Sequence, residues 1–382
     1  MDFTLSETSD DLRGLARDIV EKISTDERVA ELERVEAPLD EVLWRELGAA
    51  GLLGLELSGD AVGEAGGAES VLESVIVAEQ LGRRLARVPF GPHAIAAAPA
   101  VCAHGSARLR ELLGSAIADG SVILTVAFEE DLGTDATTPH TSLTRTESGW
   151  ALSGTKVNVP YAQAANVIVV NAASPDGTRA VVVDADAAGL TRTATPVTGK
   201  TPTYVVEFDG VVVDDERMLT GGTDTVGEIA DRLTLAVCAD QSGILSRALE
   251  LTATYATERE QFGRAIGSFQ AVAQRLADGY IDTQGLSLTT TQAAWLFTRG
   301  IEDDDPAEGD ELRIAVQTAK FWACDAGHRV AHTAVHVHGG VGLDTTHPIH
   351  RYFLRAKQNE FTLGTAPITL AAIGAGLADA PA

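Results

Sequence analysis

The sequence predicts an α+β fold in which a β domain lies between two helical domains along the chain. Apolar residues recur at helical spacing over residues 1–118, and again over residues 219–382. Between them, residues 119–218 contain short β-branched segments separated by glycine, proline and aspartate. We therefore expect an N-terminal α-helical domain, a middle β-sandwich or barrel domain and a C-terminal four-helix bundle with these boundaries.

The helices of the first domain are indicated by capping residues and by apolar faces. Residues 8–10 offer an N-cap for a first amphipathic helix, and residues 38–47 begin a second. The glycine-rich segment 51–67 follows, and residues 70–87 return to helical spacing. A further pair of helices is expected over residues 93–118.

The middle domain is indicated by short segments rich in β-branched residues, with turn residues between them. These segments are residues 122–128, 141–145, 150–159, 166–170, 179–183 and 203–213. Because no helical pattern separates them, we expect an antiparallel sandwich or barrel.

Three long helical patterns form the C-terminal domain. They cover residues 231–257, 270–297 and 311–337, and an acidic loop over residues 300–310 separates the last two. The first of them is long enough for a helix of a bundle.

Composition restricts the partners of the chain. With 29 Lys and Arg against 55 Asp and Glu, the formal net charge is −26, which repels nucleic acid and anionic membrane surfaces. The N-terminus lacks a basic and apolar signal segment, and no apolar stretch is long and uninterrupted enough to span a bilayer. Cys102, Cys238 and Cys324 are widely spaced, so we expect buried free thiols. We expect a cytoplasmic protein.

The segment 258–270 carries the strongest functional pattern. Arg259 offers a planar fork of donors suited to a pyrophosphate, Phe262 can pack against a ring, and Gln270 can hydrogen-bond a nucleotide edge. These residues, within about three turns of helix, suggest a clamp for a dinucleotide. An alternative remains open, in which the segment is an ordinary helix start whose apolar residues face the core: Ile266, Phe269 and Val272.

The domain order and two motifs resemble the acyl-CoA dehydrogenase family over the whole chain. The first motif is RxxFGxxxGxxQ from Arg259 to Gln270, and the second is the turn HVHGGVG from His336 to Gly342. The resemblance extends to residues 355–357 and 364–365. It implies that FAD is the cofactor and that its ADP half is held by residues reaching across a subunit interface. These residues are Arg259, Phe262, Gln270, His336, Gly339 and Gly340.

In this family a carboxylate base removes an α-proton while the β-hydride passes to the flavin, and this chain departs at both base positions. The family's Tyr-Glu-Gly-Thr reads Thr362-Leu363-Gly364-Thr365 here, and the position on the first long helix of the last domain is Leu233. Neither leucine can take a proton, so we assign no catalytic residue. Asp231 and Glu360 remain open as alternative bases, although Asp231 is expected on an exposed turn beside Arg232.

The middle domain departs from the family pattern as well. A loop that usually reads Thr-Glu-Pro-x-x-Gly-Ser-Asp covers residues 128–135, and its extra acids Glu130 and Asp131 would oppose a pyrophosphate or the phosphates of CoA. In the strand that usually gives a tryptophan and a threonine to the isoalloxazine ring, this chain has Asn158 and Pro160. These changes indicate that the chain's own flavin and acyl-CoA site is disabled.

A chain that keeps the donated half of a flavin site and loses its own half needs a different, catalytically complete partner. The chain is similar to the non-catalytic subunits of actinobacterial α2β2 acyl-CoA dehydrogenases, which act on CoA thioesters of steroid side chains. That resemblance implies an FAD shared with the partner, an acyl-CoA bound mainly by the partner, and electron-transfer flavoprotein as acceptor. Two other functions remain open: an active homomeric acyl-CoA dehydrogenase with an unusual base, and a flavin-free scaffold subunit.

A histidine stripe offers a rival site. His328, His332 and His336 recur one helical turn apart, with Cys324 one turn before them. The stripe would span roughly 18 Å of helix, so only adjacent pairs could share an ion, and we expect no metal site.

Overall fold

The N-terminal region is helical. The computed structural model describes residues 3–57, 70–131, 133, 135–147, 149–303 and 306–379. Its first helices are α1 (Glu7–Ile23), α2 (Asp26–Arg34), α3 (Glu41–Ala49), α4 (Val71–Arg83), α5 (Ala98–His104) and α6 (Ala107–Ala118), with a π-helical stretch, Gly91–Ala97, before α5. Much of the glycine-rich segment, two positions of the loop 128–135 and part of the acidic loop lie outside the described residues.

Side-chain caps decide where these helices begin. The Ser6 hydroxyl accepts a hydrogen bond from the Ser9 amide and starts α1 at Glu7, so the cap expected at residues 8–10 is wrong. Ser9 instead donates its hydroxyl to Glu73 of α4 at 2.9 Å. Ser70 and Glu73 form a capping box at the start of α4, where the sequence predicts a helix. The sequence did not predict α2, whose cap is Thr25.

The middle region is one curled sheet of seven strands. They are β1 (Leu124–Ala127), β2 (Ser142–Thr146), β3 (Gly149–Pro160), β4 (Val167–Ser174), β5 (Gly177–Asp184), β6 (Leu190–Ala194) and β7 (Thr203–Val213). Their order is β1-β4-β2-β3-β7-β6, and β5 pairs with β4. The expectation of a purely antiparallel domain is wrong at β1 and β4, which run parallel because the β2–β3 hairpin lies between them in the chain.

The C-terminal region is a helical bundle. Its helices are α7 (Thr223–Glu258), α8 (Gln270–Asp303), α9 (Pro306–His338), α10 (Ile349–Phe361) and α11 (Ala366–Asp379). Two glycines let α4 of the first region cross α7 closely. A Cβ atom at Gly82 would lie 2.3 Å from the Asp240 carbonyl oxygen, and one at Gly243 would lie 2.0 Å from that of Glu79. The α4 helix is therefore held tightly against α7.

The three regions share an apolar core. Leu113 of α6, Val169 of β4 and Ile229 of α7 belong to one cluster of buried residues. This shared core fixes how the regions surround the cavity described below. The three cysteines are buried and free, as the sequence predicts.

The segment 349–378 has the length and apolar composition of a membrane span, and 6% of its most apolar stretch of 18 residues is buried. The expectation that the sequence contains no stretch of such composition is therefore wrong. The segment is nevertheless two helices, since α10 ends at Phe361 and α11 begins at Ala366. Between them, Leu363 and Gly364 adopt φ values of 57° and 112° and turn the chain. A single stretch of this kind is weak support for membrane insertion.

Candidate functional site

The clamp segment is a short β-hairpin and not the start of a helix. After α7, the two-residue strands β8 (Glu260–Gln261) and β9 (Arg264–Ala265) pair, and α8 begins only at Gln270. Phe262 and Gly263 form the turn with φ values of 54° and 78°, the left-handed pair typical of a type I′ hairpin. The expectation of three helical turns is therefore wrong, because this turn reverses the chain.

The tip of this hairpin is exposed. The Phe262 side chain is 92% exposed, although its positive φ costs roughly 1–2 kcal/mol in a residue with a side chain. Its ring meets the Phe269 ring edge-on at 6.1 Å between centroids, and the Arg264 guanidinium lies 4.2 Å from the Phe269 ring. Strain and an exposed aromatic ring together mark a functional surface. The alternative of a core-facing helix start does not fit, since its three residues are only half-buried: Ile266, Phe269 and Val272.

The glycine turn after α9 lies at the same end of the bundle as the hairpin. His338, the last residue of α9, stacks on Tyr255 in the last turn of α7, with ring centroids 4.3 Å apart. Gly339 has a φ of 60°, and apart from the chain neighbours no atom of the described residues lies within 4 Å of the position of a Cβ atom at Gly339 or Gly340. His336 is exposed on α9. The fold thus brings the predicted cofactor-binding motifs to one exposed end of the bundle.

A cavity of about 390 Å3 lies where the three regions meet. Leu81 of α4, Pro92 of the π-helical stretch, Pro160 of β3 and Leu233 of α7 contribute apolar surface to its wall. Leu363, in the turn between α10 and α11, closes another side. Both positions at which the resembling family carries its base therefore face this cavity, and both hold leucine.

The two alternative bases lie outside the cavity wall. Asp231 is half-buried in α7, and burial raises its pKa to about 6. Its neighbour Arg232 is 3% exposed and pairs with Glu56 at 2.6 Å, so the expectation of an exposed turn is wrong. Asp231 and Arg232 lie within the long helix α7, which packs against neighbouring elements at this point. The Glu360 carboxylate accepts a hydrogen bond from Lys357 at 2.5 Å and is 3.3 Å from His328 Nδ1, and Glu360 does not line the cavity.

Glu129 lines the cavity, as does a second acid, Asp240, which is described below. Its Oε2 atom accepts a hydrogen bond of 3.3 Å from the Asn158 side chain, and the Leu363 amide also donates to this carboxylate. Burial raises the pKa of Glu129 to about 7, against the opposing effect of these two hydrogen bonds. Asn158 and Leu363 both have positive φ values, 54° and 57°. The Glu129 carboxylate thus ties the loop after β1 to β3 and to the turn after α10.

Glu130 does not line the cavity, and buried Lys156 compensates its charge, which removes the basis for expecting it to oppose a phosphate there. Lys156, which is fully buried, donates to it at 2.6 Å, and the amides of His140 and Thr141 donate at 2.6 and 2.9 Å. Burial by itself raises the pKa of Glu130, but the hydrogen bonds from Lys156 and Thr141 outweigh it and lower the pKa to about 2. The Glu130 charge therefore belongs to a buried ion pair that holds the loop on β3.

A second polar group in the cavity wall was not predicted from the sequence. Arg355 Nε donates to Asp240 Oδ2 at 3.2 Å, and the Asn359 side chain donates to the same oxygen at 2.8 Å. The Tyr161 hydroxyl lies beside Arg355 but makes no hydrogen bond of ordinary geometry with any described residue. Of these residues, the sequence analysis had singled out only Arg355, as part of the resemblance at residues 355–357. Asp240 and Tyr161 come from distant parts of the chain, so no local pattern links them to Arg355.

The histidine stripe forms a surface cluster. The rings of His328 and His332 are 4.5 Å apart, and Lys357 Nζ is 3.1 Å from His328 Nδ1. Burial and the neighbouring His328 lower the pKa of His332. Among the residues that the structure describes, no group of three or more His, Cys, Asp or Glu side chains is arranged to hold a metal ion.

Comparisons with known proteins identify the family. A model of the acyl-CoA dehydrogenase N-terminal domain matches residues 6–121, and a model of the C-terminal domain matches residues 221–378. Acyl-CoA dehydrogenase FadE27 of Mycobacterium tuberculosis is 44% identical over 391 residues, which cover 100% of both chains. The chain therefore belongs to the acyl-CoA dehydrogenase family, whose members are flavin-dependent oxidoreductases.

Solved structures agree with this assignment. A chain of the ChsE4–ChsE5 complex from Mycobacterium tuberculosis matches with a TM-score of 0.91 and 44% identity over 100% of both chains. A chain of a variant of the steroid acyl-CoA dehydrogenase Tcur3481–Tcur3483 matches with a TM-score of 0.88 and 38% identity, covering 98% of this chain and 99% of that one. The family and the α+β fold predicted from the sequence are confirmed.

Proposed function

We propose that this chain is a non-catalytic subunit of a heteromeric, FAD-dependent acyl-CoA dehydrogenase. It contributes residues to the ADP half of an FAD whose reactive ring lies in a different acyl-CoA dehydrogenase chain. The partner supplies the base and binds most of the acyl-CoA. The contributed residues are Arg259, Phe262, Gln270, His336, Gly339 and Gly340. The observation that carries the proposal is the contrast between an exposed hairpin, with Phe262 92% exposed, and a cavity with leucine at both base positions.

The exposed end of the bundle suits the diphosphate and adenosine end of FAD. Arg259 is exposed at the base of the hairpin, where its guanidinium is available for charge-assisted hydrogen bonds to a diphosphate. Open space at Gly339 and Gly340 allows a ligand to approach the backbone closely. When bound, FAD supplies the hydride acceptor, and the residues of this chain bind and orient its other end.

The chain's own cavity does not fit the flavin ring. The Glu129 carboxylate bridges Asn158 and the Leu363 amide, which lie at the positions where the family resemblance expects a ring contact and a base. Asn158 offers no flat ring for stacking, and Pro160 has no hydroxyl to donate. We therefore derive no redox step in this cavity.

The partner and the substrate class follow from the relatives. ChsE4–ChsE5 is a complex of two differently named chains, and the Tcur3481–Tcur3483 enzyme is described as a steroid acyl-CoA dehydrogenase. By analogy we infer an α2β2 assembly that desaturates the CoA thioester of a steroid side chain. Electron-transfer flavoprotein as acceptor, a cytoplasmic location and domain boundaries after residues 118 and 218 stay predictions.

An active homomer is the second candidate, and Glu129 is the residue that favours it. Unlike Asp231 and Glu360, Glu129 lines the cavity, and its pKa of about 7 suits a general base. The two functions are separated by producing the chain alone and together with a neighbouring acyl-CoA dehydrogenase, then measuring flavin absorbance and acyl-CoA turnover. We expect a colourless, inactive chain alone and about one FAD per heterodimer in the complex.

A yellow, active protein made from this chain alone would overturn the proposed function. In that case Glu129→Gln should abolish turnover if Glu129 is the base. A soluble complex without flavin would instead identify the chain as a scaffold subunit.

A further inference from the structure

The cavity at the junction of the three regions plays no part in the proposed function. We propose that it binds a small, neutral, largely apolar molecule with a hydrogen-bonding group that meets Tyr161. The inference does not depend on the proposed function, because the cavity lies within this chain.

The size of the cavity argues for an occupant. Protein interiors are close-packed, and few voids larger than a water molecule survive in a domain. A cavity of about 390 Å3 falls instead within the range of sites that hold drug-sized ligands. Rigid elements form its walls, since Gly82 and Gly243 lock α4 onto α7 on one side. Its emptiness would leave apolar side chains such as Leu81, Leu233 and Leu363 without packing partners.

The Tyr161 hydroxyl is the group that would hydrogen-bond a ligand in this cavity. The residue is 3% exposed, lines the cavity and has a φ of 55°, which turns the chain at the end of β3. Its buried hydroxyl lies beside the Arg355 guanidinium but makes no hydrogen bond of ordinary geometry with any described residue. Buried polar groups are normally paired, so this hydroxyl is suited to a carbonyl or hydroxyl group of a ligand.

The charges around the cavity select a neutral molecule. Asp240 is paired with Arg355, and Lys357 is paired with Glu360, so neither cation is free to hold an anion. Among the described residues, no cationic side chain lies within hydrogen-bond distance of Glu129, and burial favours its protonated form. An anionic ligand would face the carboxyl groups of Glu129 and Asp240 and would meet only cations that are already paired, Arg355 and Lys357, which disfavours acids and phosphates.

The test uses the full-length chain, alone or in complex with its partner, and androstenedione as a neutral apolar probe with hydrogen-bonding groups. Equilibrium dialysis should detect binding of the probe, whereas a steroid carboxylate of the same ring system should bind at least about tenfold more weakly. Tyr161→Phe keeps the ring and removes the hydroxyl, so it should weaken binding of androstenedione about threefold to tenfold. Val237→Phe adds bulk to the cavity wall and should abolish this binding. In a complex, the partner's own site contributes equally to wild type and variants, so their difference reports this cavity.

Tyr204→Phe is the matched control, because it removes a tyrosine hydroxyl on β7 that does not line the cavity, and it should leave binding unchanged. Near-ultraviolet circular dichroism verifies that each variant is folded. Should Val237→Phe fail to fold, the comparison of Tyr161→Phe with Tyr204→Phe still decides the outcome. The proposal would be overturned if Tyr161→Phe and Tyr204→Phe bound androstenedione equally well, or if the wild-type chain bound the steroid carboxylate as tightly as androstenedione. It would also be overturned if androstenedione did not bind the wild-type chain.

Discussion

The exposed hairpin around Phe262 and the wall of the cavity around Glu129 are held in place in opposite ways. The hairpin tip has few contacts with the rest of the chain, and its largest side chain is 92% exposed. Glu129, in contrast, is tied to Asn158 and Leu363, and the adjacent Glu130 is tied to buried Lys156. Folding of this chain accounts for the second set of interactions, but it does not require an exposed aromatic residue with a strained backbone.

Under the proposed function, this difference teaches how a flavin site shared between subunits can be divided. The residues given to the neighbour lie on the surface, where folding of the chain does not require them. The residues that would serve its own site lie in its interior, where internal hydrogen bonds and packing can replace the ligand. One chain can therefore lose its own site while it keeps the part that serves a partner.

The largest expected effect is a loss of stability when Glu130, the acid beside Glu129, is replaced. Glu130→Gln leaves Lys156 buried without its charge partner and should lower the free energy of unfolding by about 3–5 kcal/mol at pH 7. Because the folded pKa of Glu130, about 2, lies below its ordinary value, the stability it contributes is present above pH 4.5 and is lost as pH falls toward 2. Chemical denaturation measures the loss. A change below about 1 kcal/mol would mean that Lys156 finds another partner or sheds its proton.

The next effect concerns the hairpin. In the complex with the partner, Arg259→Ala removes a charge-assisted contact and should weaken FAD retention about tenfold to a hundredfold. Flavin released on dilution, followed by its fluorescence, measures the change. Arg17→Ala on α1 removes another exposed arginine, far from Arg259 along the chain, and is the matched control. Unchanged retention in Arg259→Ala would assign the hairpin a structural role.

A smaller effect of opposite sign is expected at Glu129. Burial raises its folded pKa from 4.5 to about 7, so the charged carboxylate costs stability, and this cost grows as pH rises from 4.5 to 7. Glu129→Gln removes the charge and should raise the free energy of unfolding by about 1–3 kcal/mol at pH 8, with little gain at pH 4.5. Denaturation of both proteins between these pH values measures the difference. A gain that does not vary with pH would show that charge is not the cause.

No effect on catalysis is expected from restoring a carboxylate at the family's base position. Leu363→Glu places an acid in the turn after α10, but Glu129, Asn158 and Pro160 still shape the cavity around it. We therefore expect no reduction of an artificial electron acceptor by an acyl-CoA with the isolated variant. Turnover in this single variant would mean that the chain's own site is intact apart from its base.

Patterns of local spacing allowed much of the fold to be predicted. Helical spacing located α4 and the long helices of the bundle, and β-branched segments located most strands of the sheet. The same patterns failed where a short turn decided the outcome. Phe262 and Gly263 form a hairpin inside an apparently helical motif, because positive φ at two successive residues reverses the chain.

The sequence by itself determined the family, the order of the regions and the loss of a carboxylate at Leu233 and Leu363, because these depend on residue type and spacing. Tertiary structure alone decided which acid faces the cavity. Glu129 and Glu130 are adjacent and chemically identical, yet their pKa values are about 7 and about 2. Glu130 forms a direct ion pair with buried Lys156, whereas Glu129 feels buried Lys320 only at longer range, and such contacts exist only once the chain has folded.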